Sequence, residues 1–228
     1  ALFPIGALQK AEVRRIAQEL DLVTADKKDS QGLCFIGKVR LPEFLQQQLK
    51  PRKGDVIEIP AQAQLSLKKG LLMEKSPWES KVAPFELVPE SGKKVGEHNG
   101  AHYFTIGQRK GLAIGGTPEP LFVIGTDTIN NVIYTGQGEN HFALSKGGLF
   151  VANADVHWLR EDLKLNPGQS ASYEARIRYR QNLCSVELQA TDQGIYGIFD
   201  EAQKAVTPGQ FVAWYKDNEV IGSGVINF

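Results

Sequence analysis

The beginning of the chain places hydrophobic residues at the spacing of an amphipathic α-helix. In KAEVRRIAQEL, Val13, Ile16 and Leu20 share one face, while the arginines between them share the other. The run LPEFLQQQL repeats this spacing, and Pro51 and Gly54 follow it as helix-ending residues. The pattern therefore predicts two short helices, the first of about three turns.

After Asp55 the pattern changes to alternating positions and short apolar runs, which are typical of β-strands. The predicted strands are DVIEI, HYFTI, PLFVIGTD, NVIYTG, GLFVANADVHW, SASYEARIRYR, LCSVELQA, GIYGIFD, FVAWY and EVIGSGVINF. TPGQ and the later DN supply turns. The pattern predicts a mainly β protein with a short α segment at its N-terminal end: a small mixed α/β region, then an antiparallel β-barrel. Residues 60–92 show neither period, so we expect an inserted, partly irregular segment there.

The composition excludes several classes of protein. The chain has 228 residues, 42% of them hydrophobic, with 26 basic and 26 acidic residues, which is unlike collagen or a disordered segment. Because it has no long apolar stretch and no secretory signal, we expect a soluble, cytoplasmic protein without a membrane partner. Two distant cysteines do not make a disulfide framework. A net charge of zero argues against a broad basic surface, although local basic patches stay possible.

Cys34 is the candidate for reactive chemistry. It follows the loop KKDSQG, and the cations of Lys27 and Lys28 favour the thiolate form that sulfur transfer and disulfide exchange require. The alternative is a buried cysteine within the apolar run LCFI, and spacing alone does not decide between the two. Cys184 differs, because it shares strand parity with the apolar residues of LCSVELQA and is predicted to face the barrel interior.

The usual motifs for metal and nucleotide chemistry are missing from the sequence. No C-x-x-C occurs, and a turn signal interrupts the pair His98 and His102, so no metal site is predicted. The stretch GQRKGLAIGG has neither Walker nor dinucleotide-binding spacing, and no G-x-S-x-G motif occurs. Its glycines favour a sharp turn or a close approach, and Arg109 and Lys110 at its tip either bind phosphate or are simply solvated.

A third candidate is the arginine-rich segment EARIRYRQ. Strand alternation places Arg176, Arg178 and Arg180 on one face and leaves Ile177 and Tyr179 on the other. Such a row of cations can follow a nucleic-acid backbone while the tyrosine stacks on a base or sugar. The alternative is a solvated face on which the arginines pair with nearby glutamates.

Longer segments give a resemblance to a known family. DSQGLCFIG, GEHNGAHYFTIGQRKGLAIGG and TPGQ, in that order, resemble the tRNA-specific 2-thiouridylases, also called tRNA-uridine 2-sulfurtransferases. The resemblance runs from LFPIGALQKAEVRRIA to GSGVI. It implies an enzyme that replaces the C2 oxygen of the wobble uridine of certain tRNAs by sulfur. In that family an N-terminal domain with an SGGxDS loop uses ATP to adenylate the uridine, and a cysteine in a D-S-x-G-[IL]-C-F-I-G motif carries the sulfur as a persulfide.

The resemblance implies roles for individual residues of this chain. Cys34 matches the persulfide-carrying cysteine, which receives sulfur from a sulfur-relay protein or a cysteine desulfurase. The RYR segment and the glutamine of TPGQ match tRNA-contacting positions of the family's barrel. With the basic loop positions included, the predicted tRNA-binding residues are Arg178, Tyr179, Gln210, Lys27, Lys28 and Arg109.

Two motifs of the family do not occur in this sequence, and their absence leads to further expectations about its function. Neither an SGGxDS loop nor a cysteine upstream of Cys34 occurs, so we expect the site for ATP and magnesium to lie outside this sequence. The chain opens without Met, as a piece of a longer protein would. We therefore expect it to bind tRNA without thiolating it and without a cofactor of its own. Residues 60–92 are longer than the link that the family usually has between strands.

Three regions are expected along the chain. Residues 1–37 resemble the end of the catalytic α/β domain with its cysteine loop, and residues 38–147 a middle domain with an insertion at about 60–92. Residues 148–228 resemble a tRNA-binding barrel like those of elongation factors. A non-catalytic RNA-binding module is the alternative function, and the reactivity of Cys34 distinguishes the two.

Overall fold

The computed structural model describes residues 3–27, 41–66, 78–179 and 181–227, and predictions for other positions lie outside them. The chain divides into two compact units, residues 1–49 and residues 50–228. The helices are α1 (Lys10–Glu19), α2 (Leu41–Gln46) and α3 (Glu79–Val82). The strands are β1 (Gly54–Glu58), β2 (Lys93–His98), β3 (Leu121–Asp127), β4 (Val132–Gln137), β5 (Ser145–Ala152), β6 (Val156–Trp158), β7 (Ser170–Arg176), β8 (Cys184–Ala190), β9 (Gly194–Lys204), β10 (Phe211–Lys216) and β11 (Glu219–Val225). Within the described ranges, no helix has both the length and the apolar character needed to cross a membrane.

The first unit holds the two helices that the apolar spacing predicts, α1 and α2. On α1, the Arg15 guanidinium pairs with Glu12 at 2.6 Å and also with Glu19 one turn later. Exposed pairs of this kind contribute little to stability. No side chain of α1 is buried, and Leu20, directly after the helix, is 65% exposed. Within the described residues, the apolar face of α1 is therefore only partly covered, and its ion pairs add little to its stability.

Four strands of the second unit form a small mixed sheet in the order β2-β1-β4-β3. β1 runs parallel to β4 and antiparallel to β2, and β3 pairs antiparallel with β4. Successive residues of β1 point to opposite sides, so Val56 packs in one apolar cluster and Ile57 in another. Both faces of the sheet are covered, and the predicted small mixed region is confirmed.

One strand of the small sheet differs from the prediction. β2 was not predicted, whereas the predicted strand HYFTI begins with a 3₁₀ turn. β2 shows little alternation and is held by pairing with β1, including an ion pair from Lys94 to Asp55 at 2.7 Å. Beside HYFTI, the Ala101 N–H donates to Oδ1 of the distant Asn131 at 3.0 Å. The prediction was wrong because long-range contacts set the backbone of both segments.

Seven strands form the second sheet in the order β5-β9-β8-β7-β10-β11-β6, and all its pairs are antiparallel. The sheet curls on itself, because the chain after β11 returns to β5 through a bridge between Phe150 and Asn227. Its interior is one apolar cluster that includes Trp214, Leu188 and Ile221. The predicted antiparallel barrel is confirmed as this curled sheet.

The described part of the predicted insertion contains the short helix α3 together with turns. It packs against β5 and β9 of the seven-stranded sheet, where Val82 is fully buried and the Trp78 ring lies 5.7 Å from the Tyr196 ring. Lys146 of β5 donates from Nζ to the Ala83 carbonyl at 3.0 Å, and burial lowers the pKa of this lysine to about 8. An apolar contact and a lysine therefore anchor the segment to the sheet.

Candidate nucleic-acid interface

A groove lies on the outer surface of the seven-stranded sheet, where β7 ends and β10 begins. Its volume is about 500 Å³, within the range of pockets that hold small ligands. The groove is lined by Arg176, Ile177, Arg178, Tyr179, Gln210, Phe211, Ala213 and Tyr215. Two cations and three aromatic rings thus meet in one place, and none of these lining residues is acidic.

The floor of the groove comes from the pairing of β7 with β10. Alternation along β10 turns Trp214 into the core and leaves Ala213 and Tyr215 on the outside. Ala213 pairs with Arg176 of β7 across the ladder. The Arg176 guanidinium lies 5.7 Å from the centre of the Tyr215 ring, a cation–π contact. The two side chains therefore hold each other in place on a rigid strand pair.

The arginine-rich segment does not form the continuous strand that alternation predicts. β7 ends at Arg176, and the Gln181 side chain then accepts the Ile177 N–H through Oε1 at 3.0 Å. Gln181 also donates its own backbone N–H to the Arg178 carbonyl at 3.1 Å, which closes a turn. Ile177 is buried, whereas Arg178 and Tyr179 are both exposed. The predicted continuation of the strand to residue 179 was wrong, because a side chain takes the backbone donor that a strand partner would need.

Arg178 is held at the edge of the groove through its own guanidinium. Nη2 donates to the Ala205 carbonyl at 2.9 Å, and Thr207 Oγ1 donates to the same oxygen at 2.9 Å. Ala205 is buried and has a φ of +53°. Its carbonyl therefore belongs to a turn with a strained backbone that the surrounding residues hold in place. An arginine carries five N–H donors, so the bond to Ala205 positions Arg178 and leaves donors for a phosphate.

Gln210 follows a turn that the TPGQ pattern predicts. Gly209 has a φ of +82°, and Gln210 N donates to the Thr207 carbonyl at 3.3 Å. Two bonds to Ile226, after β11, fix the turn: Gly209 N donates to Ile226 O at 2.9 Å and Ile226 N donates to Gln210 O at 2.8 Å. The Gln210 side chain therefore extends from rigid backbone. Its Oε1 is shielded from solvent and has no hydrogen-bond partner among the described residues.

The glycine-rich loop approaches the same edge of the barrel. Gly107 has a φ of +85°, and a Cβ at this position would lie 2.8 Å from Ala205 Cβ and 4.0 Å from Arg178 Nη2. Only glycine allows this close approach. Gly107 N also donates to the Val123 carbonyl of β3 at 2.7 Å, which ties the loop to the small sheet. Arg109 is exposed two positions after this contact, and it does not line the groove.

Cys184 occupies the position that strand parity predicts. It packs against the apolar core of the seven-stranded sheet, and its Sγ donates to the Ala175 carbonyl at 3.2 Å. Burial raises the pKa of the Cys184 thiol. Because the thiolate is the reactive form, a thiol kept protonated in this way is a structural residue and a poor nucleophile.

The lining of the groove includes none of the other predicted site residues that the structure describes. Lys27 is exposed in the first unit. The positions that lie outside the described residues are Lys28, Cys34 and Arg180. His98 is buried, and its Nδ1 accepts the Gly100 N–H at 2.9 Å. In the part of the chain that the structure describes, no three His, Cys, Asp or Glu side chains are grouped to hold a metal ion.

Two aromatic residues of the groove, Phe211 and Tyr215, were not predicted from the sequence. The strand FVAWY is apolar at every position, so its pattern does not show which side is buried. A barrel strand normally carries polar residues on its solvent side. A strand without polar residues on either side was therefore a signal of a contact surface, and it was present in the sequence.

Three protein-family models match successive parts of the chain. One described as a tRNA methyl transferase HUP domain matches residues 1–38, and one described as a tRNA methyl transferase PRC-barrel domain matches residues 85–137. The third, described as an aminomethyltransferase beta-barrel domain, matches residues 150–226. This third match contains every residue that lines the groove.

Individual relatives match almost the whole chain. The tRNA-specific 2-thiouridylase MnmA of Christiangramia forsetii is 56% identical over 230 residues, which cover 99% of this chain and 58% of the relative. The protein of the same name from Flavobacterium johnsoniae is 56% identical, with 100% of this chain and 58% of the relative covered. That of Karelsulcia muelleri is 43% identical, with 100% and 57% covered. The chain thus spans less than two thirds of the length of these relatives.

Proposed function

Because the chain belongs to the tRNA-specific 2-thiouridylase family, we propose that it supplies the tRNA-binding barrel and the sulfur-carrying cysteine loop of such an enzyme. The whole enzyme replaces the C2 oxygen of the wobble uridine of tRNA by sulfur in the cytoplasm. Its partners are tRNA and a sulfur-relay protein or cysteine desulfurase. In this proposal Cys34 carries the sulfur and the groove holds the RNA.

The observation that supports tRNA binding is the composition of the groove. Arg178 and Tyr179 come from the turn after β7, and Gln210 comes from the turn before β10. These are the three barrel residues that the family resemblance implies as tRNA contacts, and they line one groove although they are distant in sequence. Arginine N–H groups suit phosphate oxygens, while an aromatic ring and an amide suit a base or sugar.

The proposed sulfur transfer assigns Cys34 the role of carrier. The outer sulfur of a Cys34 persulfide bonds to C2 of the activated uridine as the C2 oxygen leaves. A second cysteine, outside this sequence, then attacks the Cys34 sulfur, forms a disulfide with it and leaves the outer sulfur on the uridine. An external reductant such as a dithiol returns both cysteines to thiols.

The residues of this chain do not fit the ATP part of the reaction. GQRKGLAIGG lacks the spacing of a phosphate-binding loop, and its first glycine, Gly107, packs against Ala205. We therefore place ATP and magnesium on residues outside this sequence. The purified chain, given tRNA, ATP, magnesium and a sulfur donor, is then expected to form no 2-thiouridine. Mass spectrometry of the digested tRNA measures this, and any product would contradict the assignment.

Binding of tRNA is tested by removing the groove arginine. Arg178→Ala should weaken tRNA binding about tenfold and lower the slope of log K against log salt by about one, because one phosphate contact is lost. Filter binding at several salt concentrations measures both quantities. Arg160→Ala is the matched control, since that guanidinium is already engaged by Asp162 and Glu219 at 2.7 Å each. Binding that does not depend on salt would contradict the phosphate contact.

The role of Cys34 is tested against a cysteine in the same chain. If Cys34 is the sulfur carrier, iodoacetamide should label it rapidly near neutral pH, while the half-buried thiol of Cys184, whose pKa is raised, reacts slowly. Peptide mass spectrometry separates the two sites. In the full-length parent enzyme, Cys34→Ala should abolish formation of 2-thiouridine. If Cys34 is as inert as Cys184, the alternative of a non-catalytic RNA-binding module replaces this proposal.

A further inference from the structure

Two aromatic side chains are highly exposed on the surface of residues 50–228. Tyr179 is 87% exposed and Phe211 is 66% exposed. Across the described part of that unit, no other aromatic side chain reaches a comparable exposure. Both of them line the groove. Exposed aromatic rings that are grouped in one depression, and not scattered, mark a contact surface.

Both rings extend from backbone that is already fixed. Phe211 is the first residue of β10, follows the pinned turn at Gln210 and pairs with Val225 of β11. Tyr179 directly follows the anchored Arg178 in the turn that Gln181 closes. Because this backbone is already ordered, a ligand that stacks on the rings does not have to order it, which favours binding.

We propose that Phe211 and Tyr179 form a stacking site for an unpaired nucleobase of the RNA substrate. The inference rests on the proposed tRNA binding. It adds that the groove binds a single-stranded segment of the RNA and not a helical stem. The faces of a base within a duplex are covered by its neighbours, whereas an unpaired base is free to stack on an aromatic ring. The volume of about 500 Å³ suits a ligand the size of a nucleotide.

The charges around the groove suit the phosphates on either side of such a base. Arg178 lies at its edge, and Arg176 is held over Tyr215 on its floor. A second groove, which shares Tyr215, carries the opposite charge. Its acidic lining residues are Glu174, Glu187, Asp200 and Asp217. Because phosphate is repelled on that side, the RNA backbone follows the arginines and keeps the base beside Phe211.

The experiment uses the whole chain and two RNA probes. The first is a stem-loop that carries the fluorescent base 2-aminopurine at each loop position in turn, and the second is the duplex formed with its complementary strand. We expect tighter binding of the stem-loop and quenching of 2-aminopurine at one loop position, as stacking requires. Phe211→Ala should weaken stem-loop binding roughly tenfold and remove the quenching, with duplex binding unchanged.

Two further variants separate stacking from general damage. Phe211→Tyr keeps an aromatic ring and should retain both affinity and quenching. Leu159→Ala removes another exposed apolar side chain, 54% exposed and outside the groove, and should leave binding unchanged. Equal affinity for stem-loop and duplex, or no effect of Phe211→Ala, would overturn the stacking site while RNA binding stands. If the chain binds neither probe and no tRNA, it is the proposed function that fails.

Discussion

The small sheet and the seven-stranded sheet both pack around apolar clusters, but they differ in the polar side chains that they bury. The buried polar side chains of the described residues all belong to the small-sheet region, and they are His98, Asn131, Thr135 and His141. The interior of the seven-stranded sheet is instead an apolar cluster around Trp214. In the small-sheet region, specific hydrogen bonds therefore add to hydrophobic packing, whereas the interior of the seven-stranded sheet is stabilised mainly by hydrophobic packing.

In the small sheet polar side chains stabilise the fold, whereas on the seven-stranded sheet polar and aromatic side chains on the outer face are available for binding. In the small-sheet region the buried polar side chains bond to main-chain groups, as Asn131 does to the carbonyls of Arg52 and Lys53. The seven-stranded sheet needs no such bonds, because its regular ladder satisfies its own backbone groups. Its outer face is thus free to carry arginines and aromatic rings, and the groove lies there.

Replacing Trp214 is the strongest test of how much hydrophobic packing stabilises the seven-stranded sheet. Trp214 is fully buried and packs edge to face against Trp158, with ring centres 5.4 Å apart. We expect Trp214→Ala to lower the free energy of unfolding by about 4 kcal/mol, because a large cavity replaces the ring. Urea denaturation followed by circular dichroism measures the loss.

Trp214→Phe is the matched control for this cavity. The Trp214 Nε1 has no hydrogen-bond partner among the described residues, so losing it relieves an unsatisfied donor and offsets part of the lost packing. We expect this variant to lose only roughly 1 kcal/mol. Hydrogen exchange then locates the damage from Trp214→Ala. If small-sheet amides become as exposed as barrel amides, the two sheets unfold as one unit and the comparison breaks.

The next effect in size comes from the polar interior of the small sheet. Asn131 has a φ of +58°, accepts the Ala101 N–H at 3.0 Å, and donates to the carbonyls of Arg52 and Lys53 at 3.0 and 2.8 Å. Asn131→Ala leaves three main-chain groups without this partner and puts alanine in the left-handed region. We expect a loss of about 3 kcal/mol, measured by urea denaturation.

Asn131→Gly divides that loss into its two causes. Glycine accepts the positive φ but makes no side-chain hydrogen bond, so we expect it to lose about 2 kcal/mol, roughly 1 kcal/mol less than alanine. If the two variants are equally unstable, the backbone conformation contributes nothing. If both lose less than about 1 kcal/mol, the buried hydrogen bonds of Asn131 add little to the stability of the small sheet, contrary to the comparison.

The same contrast explains how far the sequence could be interpreted. Alternation of apolar and polar residues predicted strands such as β8, because this pattern lies within the strand itself and needs no distant partner. It failed at β2 and HYFTI, where the partners Asp55 and Asn131 lie far away in sequence. In the groove, Arg178 and Gln210 followed from the family resemblance. Phe211 was missed, because a strand that is apolar throughout does not show which residues face outward.

The smallest expected effect is the pH dependence of stability in the small-sheet region, and it depends on the imidazoles of His98 and His141. Burial lowers the pKa of His98 and of His141 below the ordinary value of 6.5, and nearby main-chain groups and carboxylates oppose this only in part. Each ring is needed in its neutral form. His98 Nδ1 accepts the Gly100 N–H at 2.9 Å, and His141 Nδ1 accepts the Ala143 N–H at 3.3 Å.

The lowered pKa values determine the sign of the pH dependence. As the pH falls through about 6.5, the unfolded chain binds protons that the folded small sheet does not, so the free energy of unfolding decreases. Urea midpoints measured between about pH 7.5 and pH 5 should fall, with small-sheet amides losing protection from hydrogen exchange before barrel amides.

The double variant His98→Asn and His141→Asn should flatten this pH dependence of the urea midpoint, because neither asparagine titrates. A midpoint independent of pH, or earlier loss of protection in the barrel, would show that the buried imidazoles do not set the acid limit of the small sheet.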